Sequence, residues 1–395
     1  MNLALAKALD RVAGGALARG LAATDALRDL VAGPPPPVTR VRTIAVLKFW
    51  GVGNWALLRP VVAALRDRWV GARVVVVTLA ANVPLVTDLA DRVLAVRAKG
   101  LAATVLDLAR ALRALRAEAP ELALDFEQFA VVGALLGRLA GVPQRVGFAS
   151  GARGRDGLLT VRVPFRRDAH AARSFRDLAE AAGVPAGPYV AGGLAADAAG
   201  RDEVTARLGP VDARRPWVVL HPGSGDNFPG RRWSPTAFAA VGRHARERHG
   251  ARVVVTGGEA ERALVDDVAR ACGGDAVGAA GTLSLRGLVA LLERAAVIVS
   301  NDTGPVHLAS ALGRPVLALF GPNTPVLYGP LSPGSRAFYA GLPCSPCLTT
   351  SNYRSSRCRI HTCMAAIPTG EVVAATDRLL RAASVATPVP GAGAP

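Results

Sequence analysis

Apolar residues along this chain follow two alternating rhythms. Thr43–Phe49 (TIAVLKF) is an unbroken apolar run that reads as a buried strand, Asn54–Trp69 carries helical spacing, and Arg73–Leu79 (RVVVVTL) is again a strand. Leu101–Ala117 predicts a helix, Leu122–Phe126 a strand and Ala130–Leu139 a helix. After an Ala- and Gly-rich stretch, Ala186–Asp212, the alternation restarts with strand Trp217–Leu220, helix Pro235–Arg248, strand Arg252–Thr256 and helix Ala260–Cys272. Helix Leu285–Arg294, strand Val297–Ser300, helix Pro305–Leu312 and strand Val316–Phe320 complete the second series. Continuous apolar strands separated by helices of about 10–15 residues predict parallel sheets covered on both faces. Two series of similar size predict an α/β chain of two doubly wound, Rossmann-like domains facing a cleft, residues 38–195 and 196–383.

The two ends differ from this pattern. Residues 1–37 are Ala/Leu-rich with scattered charges and close on Gly33 and the run Pro34–Pro37, which predicts a helical extension and a stiff spacer. That helix either packs on the body or lies on a membrane surface, and Gly14, Gly15 and Gly20 weaken it as a free helix. Residues 384–395 (SVATPVPGAGAP) are of low complexity and are expected to be disordered.

Composition narrows the function classes. With 395 residues and 51% hydrophobic content, wholesale disorder is ruled out and two cores can be built. No run of about 18 uncharged apolar residues is present, so no membrane span is expected. Lys7, Asp10 and Arg11 interrupt what a secretory leader would need, so a cytoplasmic location is the expectation. The formal net charge is +17, and all but three of the 47 basic residues are arginine. Such a chain favours anionic partners, among them phosphates and an acidic membrane leaflet, which would place it peripherally on the inner face of the cytoplasmic membrane. Nucleic acid is not expected, because 5% aromatics do not supply a stacking platform.

Ligands of open parallel sheets sit beyond the carboxyl ends of strands, and three loops there carry chemistry. The first is Lys48-Phe49-Trp50-Gly51-Val52-Gly53-Asn54, whose glycines allow close backbone approach; with Ala56 in place of a third glycine it is no dinucleotide fingerprint. The second runs from His221 to Trp233 and includes Ser224 and the adjacent Arg231 and Arg232, paired forks suited to a diphosphate. The third, Ser300 to His307, places Asp302, Thr303, Gly304 and Pro305 at a helix start, where exposed N–H groups and the helix dipole attract an anion. From Thr303 to Gly370 there is no acidic residue, while Arg314, Arg336, Arg354, Arg357 and Arg359 fall inside that span.

Four cysteines, Cys344, Cys347, Cys358 and Cys363, cluster late in the chain with His361 among them. A CxxC pair plus two thiols suits tetrahedral zinc, although the second pair lacks ribbon spacing; a structural metal, a disulfide and free buried thiols all remain open. Cys272 stands apart on a predicted helix and is assigned to the core.

The run NDTGPVHLASALGRPVLALFGPNTP (Asn301–Pro325) resembles the donor-site signature of glycosyltransferase family nine, the ADP-heptose:lipopolysaccharide heptosyltransferases. HPGSG followed by RRW, the segment VVVTGGEAE (Val253–Glu261), the opening IAVLKFWGVGN, RVGF (Arg145–Phe148) and His170 fall in family-like order, so the resemblance spans about residues 42–383. It implies a GT-B fold, with acceptor in the first domain and nucleotide-sugar in the second. It also implies inverting, metal-independent transfer of a heptose-like sugar from an ADP-linked donor to a lipopolysaccharide or related glycolipid or glycan. Carried over singly, Arg231 and its neighbour Arg232 would lie by the donor diphosphate and Glu259 would hold the ribose. Asp302 would hold the sugar hydroxyls, with Thr303, Gly304, Pro305 and His307 near the phosphates. One position departs: the family's general-base Asp is Asn54 here, and an amide does not take up a proton near neutral pH. Asn54 then orients the acceptor while Glu127 acts as base, or the diphosphate or water takes the proton, or the chain is a non-catalytic donor-binding relative.

Overall fold

The computed structural model describes residues 10–32, 38, 40–97, 100–149, 151, 154–210, 212, 215–225, 228–349 and 356–386. The proline run Pro34–Pro37 and the tail from residue 387 lie outside the described residues. The chain divides into two units, Met1–Val190 and Ala191–Pro395, five residues ahead of the expected boundary.

The first unit opens with helix α1 (Gly15–Ala32), then β1 (Thr43–Leu47), α2 (Val52–Arg68), β2 (Arg73–Leu79), β3 (Arg92–Val96), α3 (Leu101–Glu118), β4 (Leu122–Asp125) and α4 (Val132–Leu139). It ends with β5 (Gln144–Ala149), β6 (Val161–Pro164) and α5 (Ala171–Ala181). The second unit contains α6 (Ala198–Leu208), β7 (Trp217–His221), α7 (Pro235–His249), β8 (Arg252–Gly257), α8 (Arg262–Cys272), β9 (Val277–Ala280) and α9 (Leu285–Arg294). It continues with β10 (Val297–Asn301), α10 (Gly304–Ala311), β11 (Val316–Phe320), α11 (Pro325–Tyr328), β12 (Arg336–Tyr339), α12 (Thr362–Ala365) and α13 (Thr369–Ala386).

Each unit holds one six-stranded sheet, ordered β3-β2-β1-β4-β5-β6 in the first and β12-β11-β10-β7-β8-β9 in the second, with parallel pairing. The chain therefore has the doubly wound α/β architecture expected of it, twice. The central strands β1, β10 and β11 are buried at every position, because helices cover both faces and a purely apolar run satisfies both. Fully burying one such Val or Leu stabilises the fold by about 1.5–3 kcal/mol. Edge strands were not foreseen. In β3 (RVLAV) and β6 (VRVP), Arg and Pro interrupt the apolar pattern because only part of each strand faces the core. Helix α6 lies inside the stretch read as a linker, and Asp197 caps it by accepting the Gly200 N–H at 2.8 Å. Helix α13 reaches Ala386, so residues 384–386, expected in a disordered tail, are helical.

The amino-terminal extension belongs to the first unit. Ala18 of α1 is fully buried with Val131, Ala134, Leu135, Leu158 and Leu159. Asp25 pairs with the Arg138 Nε at 2.6 Å, and the Asp10 carboxylate accepts the Val132 N–H of α4 at 2.8 Å. The inner face of this helix is thus committed to the domain, while Leu17, Leu27 and Leu30 stay exposed. Among the described residues no helix is long and apolar enough to cross a membrane.

In each sheet the strand order reverses once, between β1 and β4 and between β7 and β10. At such a reversal the two loops leaving the adjacent strands diverge to opposite faces and open a crevice. The candidate residues gather at these two places.

Candidate functional site

At the first reversal, Leu47 is in register with Asp125, so the loops after β1 and β4 leave the sheet side by side. Glu127 lies between them, 3% exposed. Its Oε1 accepts the N–H groups of Phe49 at 2.6 Å and Trp50 at 2.9 Å, and its Oε2 pairs with the buried Lys48 Nζ at 3.1 Å. Both oxygens are engaged within the protein. Glu127 thereby anchors the first loop. Beneath it the fully buried Arg155 donates to the Asp125 carboxylate at 2.7 Å and to the carbonyls of Glu127, Ala130 and Phe148. Burial pushes the Asp125 carboxyl up to about 6 despite that guanidinium.

The anchored loop turns at Gly51, whose φ of 90° is left-handed, and enters α2. Asn54 sits in the first turn, where its Nδ2 donates to the Trp50 carbonyl at 3.3 Å. A carboxylate cannot make that bond, so the amide stiffens the loop at the position where the resemblance leads one to expect a base.

At the second reversal Ser300 of β10 is in register with His221 of β7. Arg231 spans the two loops that follow, donating through Nη1 to the Asp302 carbonyl at 2.8 Å and through Nη2 to the Ser224 carbonyl at 2.6 Å. Its Nη1 is 4.0 Å from the Asp302 Oδ2, which also accepts the Asn323 Nδ2 at 2.8 Å. Asp302 and Ser224 are both buried. The structure therefore brings Ser224, Arg231 and Asp302 together beyond the ends of β7 and β10.

Helix α10 begins immediately beyond. Thr303, its N-cap, makes no capping bond; its hydroxyl turns to the Asn301 carbonyl at 3.1 Å instead. Gly304 and Pro305 form the first turn, so this helix start carries no side-chain cap and keeps its affinity for an anion. His307 is buried and faces the Tyr328 ring edge-on at 5.9 Å.

Glu259 lies in the short turn between β8 and α8. It is exposed and pairs with Arg262, which holds its carboxyl below the usual range. Two residues later, Glu261 turns inward and accepts the N–H groups of Ser224 at 2.8 Å, Gly225 at 3.0 Å and Gly258 at 3.1 Å, and the Arg232 Nη2 at 3.0 Å. Burial raises its pKa, and these backbone donors outweigh burial to hold it below the ordinary carboxylate value. Gly223 permits the approach, because a Cβ there would collide with the Glu261 carboxylate. The sequence signal was the spacing Gly258-x-x-Glu261 at a helix start, the acidic half of a capping box. Asn301 was also missed: fully buried at the end of β10, it accepts the Trp233 N–H at 3.0 Å and donates to the Pro222 carbonyl at 2.8 Å. Burial lowers His221 to about 4, so the imidazole beside this loop is neutral and bonded to the Thr256 hydroxyl.

The cysteine segment packs against the same loop. The His361 ring meets Phe228 edge-on at 5.6 Å, and Cys347 N–H donates to the Pro322 carbonyl at 2.9 Å. Cys363 is buried, Cys347 and Cys358 are half-buried and Cys344 is exposed. Burial and the neighbouring thiols Cys347, Cys344 and Cys358 raise the Cys363 thiol. Among the described residues no three of these sulfurs lie within 4.8 Å of one another.

Crevices of this kind at the carboxyl ends of two doubly wound sheets, one carrying a guanidinium and an uncapped helix start, define a doubly wound α/β protein with a place suited to an anion. The chain belongs to glycosyltransferase family 9 (heptosyltransferase), whose model matches residues 108–356. It is 31% identical over 180 residues to lipopolysaccharide heptosyltransferase 3 of Escherichia coli, a match covering 43% of this chain and 49% of that protein. The chain thus spans about half the length of the curated relatives it matches. The fold resembles that of E. coli ADP-heptose lps heptosyltransferase II, with a TM-score of 0.69 and 21% identity over 87% of this chain and 99% of that one. It also resembles E. coli heptosyltransferase WaaC with ADP-2-deoxy-2-fluoro heptose, with a TM-score of 0.58 and 19% identity over 73% of this chain and 92% of that one. The architecture is GT-B.

Proposed function

We propose that this protein transfers a heptose from an ADP-heptose-type donor to a hydroxyl of a lipopolysaccharide or related glycolipid, with inversion and without a metal ion. The observation that carries the reading is Arg231, fixed across the Ser224 and Asp302 carbonyls beside the uncapped start of α10. A diphosphate placed there meets a guanidinium, Arg232 and the positive end of a helix dipole. These supply the charge stabilisation that a metal ion otherwise gives a departing nucleoside diphosphate. The Asp302 carboxylate, aimed by Asn323, accepts hydroxyl protons of the sugar.

In the transfer the acceptor oxygen forms a bond to the anomeric carbon while the bond from that carbon to the diphosphate oxygen breaks, and the diphosphate leaves with the electron pair. The acceptor proton passes to the departing diphosphate, because Asn54 does not take it and both Glu127 oxygens are engaged. Calorimetric titration with ADP, UDP, GDP and TDP tests the donor site: ADP binds selectively, and Asp302→Ala abolishes that binding. No nucleotide bound at all overturns the reading. Slow hydrolysis of the matching sugar donor separates an enzyme from a non-catalytic binding relative.

Asn54→Ala tests the proton route. A residue acting in general acid–base catalysis contributes about 10²–10⁴-fold. The expected loss in kcat here is below about tenfold, since only loop stiffness is removed. A hundredfold loss would return Asn54 to the chemistry.

A further inference from the structure

The outer face of the second unit, where α13 lies against α7, carries a cluster of side chains that the donor site does not use. His244 and His249 lie on α7 and Asp377 on α13. The His244 Nε2 is 3.2 Å from the Asp377 Oδ1, and the His249 Nε2 is 2.8 Å from that same oxygen. All three ligand atoms lie within 4.8 Å of one another. The two rings are 6.1 Å apart and tilted by 60°, so their nitrogens converge from different directions on one carboxylate oxygen.

In a tetrahedral site with metal–ligand bonds of about 2.0–2.2 Å, neighbouring ligand atoms are about 3.3 Å apart. The two His–Asp separations are already close to that spacing. A cation takes the place of the two bridging N–H protons once each imidazole carries its proton on Nδ1, with little movement of either helix. The second carboxylate oxygen accepts the Arg381 Nε at 2.7 Å, an outer contact that fixes the carboxylate plane. Beside the cluster a cavity of about 380 Å³ opens, lined by His244, Asp377, Arg248, Arg378 and Arg381. It leaves room for a fourth ligand, and its guanidiniums favour an anion or a hydroxide there over a second cation.

We propose that His244, His249 and Asp377 bind a first-row divalent transition-metal ion, Zn²⁺ in the first instance, with the fourth position open to the cavity. Two imidazoles and one carboxylate are the nitrogen and oxygen donors that suit zinc, and the hard ions magnesium and calcium call for oxygen ligands instead. The ion joins α13 to α7, so it stabilises the folded domain by mass action.

The test uses the full chain freed of metal by chelation, and it does not depend on transferase activity. Zn²⁺ is titrated calorimetrically, and Co²⁺ is titrated while its visible absorption is followed. The expected result is one Co²⁺ with a tetrahedral spectrum lacking thiolate charge transfer, which distinguishes this site from the cysteines. Zn²⁺ should raise Tm. His249→Gln and Asp377→Asn should each weaken Zn²⁺ by at least about tenfold and remove its effect on Tm, since even outer contacts are worth that much. Asp377→Asn keeps an acceptor for both imidazoles and serves if His249→Gln folds poorly. Unchanged affinity and stoichiometry in either folded variant, a purely thiolate Co²⁺ spectrum, or no binding by the parent chain overturns the proposal.

Discussion

Arg231→Ala should lower kcat/KM for sugar transfer by about 10²- to 10³-fold, the loss that follows removal of one preorganised donor to developing negative charge. Arg231 is 13% exposed and held by carbonyls from both loops that leave the β7/β10 reversal, so its charge is already oriented before a donor arrives. Charge on the diphosphate grows as the glycosidic bond breaks, so the fall should lie mainly in kcat rather than KM. Arg231→Lys should recover only part of the rate, because an ammonium is a point charge and does not bridge two carbonyls as a planar fork does. Steady-state kinetics decide the matter, with thermal melting to show that the loops remain folded. A variant retaining a third of the parent activity would remove Arg231 from the leaving-group role and weaken the donor-site reading.

Arg155→Met should destabilise the first unit by about 3–5 kcal/mol at neutral pH, the range for removing one partner of a buried ion pair. Arg155 is fully buried and serves Asp125 together with three backbone carbonyls. Its loss leaves all of these without that donor. The pH dependence identifies the cause. In the parent chain Asp125 has its pKa raised to about 6, so its contribution to stability declines as pH rises from its unfolded value towards 6 and is flat above that. Without the guanidinium the folded-state pKa rises further. The folded variant then keeps a proton that the unfolded chain has released, and stability continues to fall above pH 6 by up to about 1.4 kcal/mol per pH unit. Urea denaturation at pH 5 and pH 7.5 should therefore show the smaller deficit at pH 5. A deficit equal at both values would mean that the lost carbonyl contacts, and not the buried charge, dominate.

These two residues also mark how differently the two crevices could be read. The loops after β7 and β10 announce themselves through Gly, Arg, Asp, Thr and Pro placed directly after apolar strands, and the structure puts Ser224, Arg231 and Asp302 together there. Glu259 and Glu261 share one short turn, and both are acidic residues at a helix start. Only the direction of that turn sends Glu259 to Arg262 and Glu261 to the loop N–H groups. Glu127 was visible as a carboxylate beyond a strand. Its use was not visible, because it depends on β4 pairing with β1 and bringing two unpaired N–H groups against it.

By itself the sequence determined the class of fold, the central strands, the two rounds of strand and helix, and the family. Each of these is a local property: apolar runs buried on both faces, helical spacing, and short motifs whose residues lie next to one another. The tertiary structure alone decided what depends on the order of strands. Edge strands show a weak pattern because only part of each strand meets the core. Carboxylates became anchors where neighbouring loops presented N–H groups to them. Asp10 and Val131, 121 residues apart, and His249 and Asp377, 128 residues apart, meet only because helices pack. Contacts over such separations are set by which faces of the elements are apolar, and that information is spread across the whole chain rather than written at either residue.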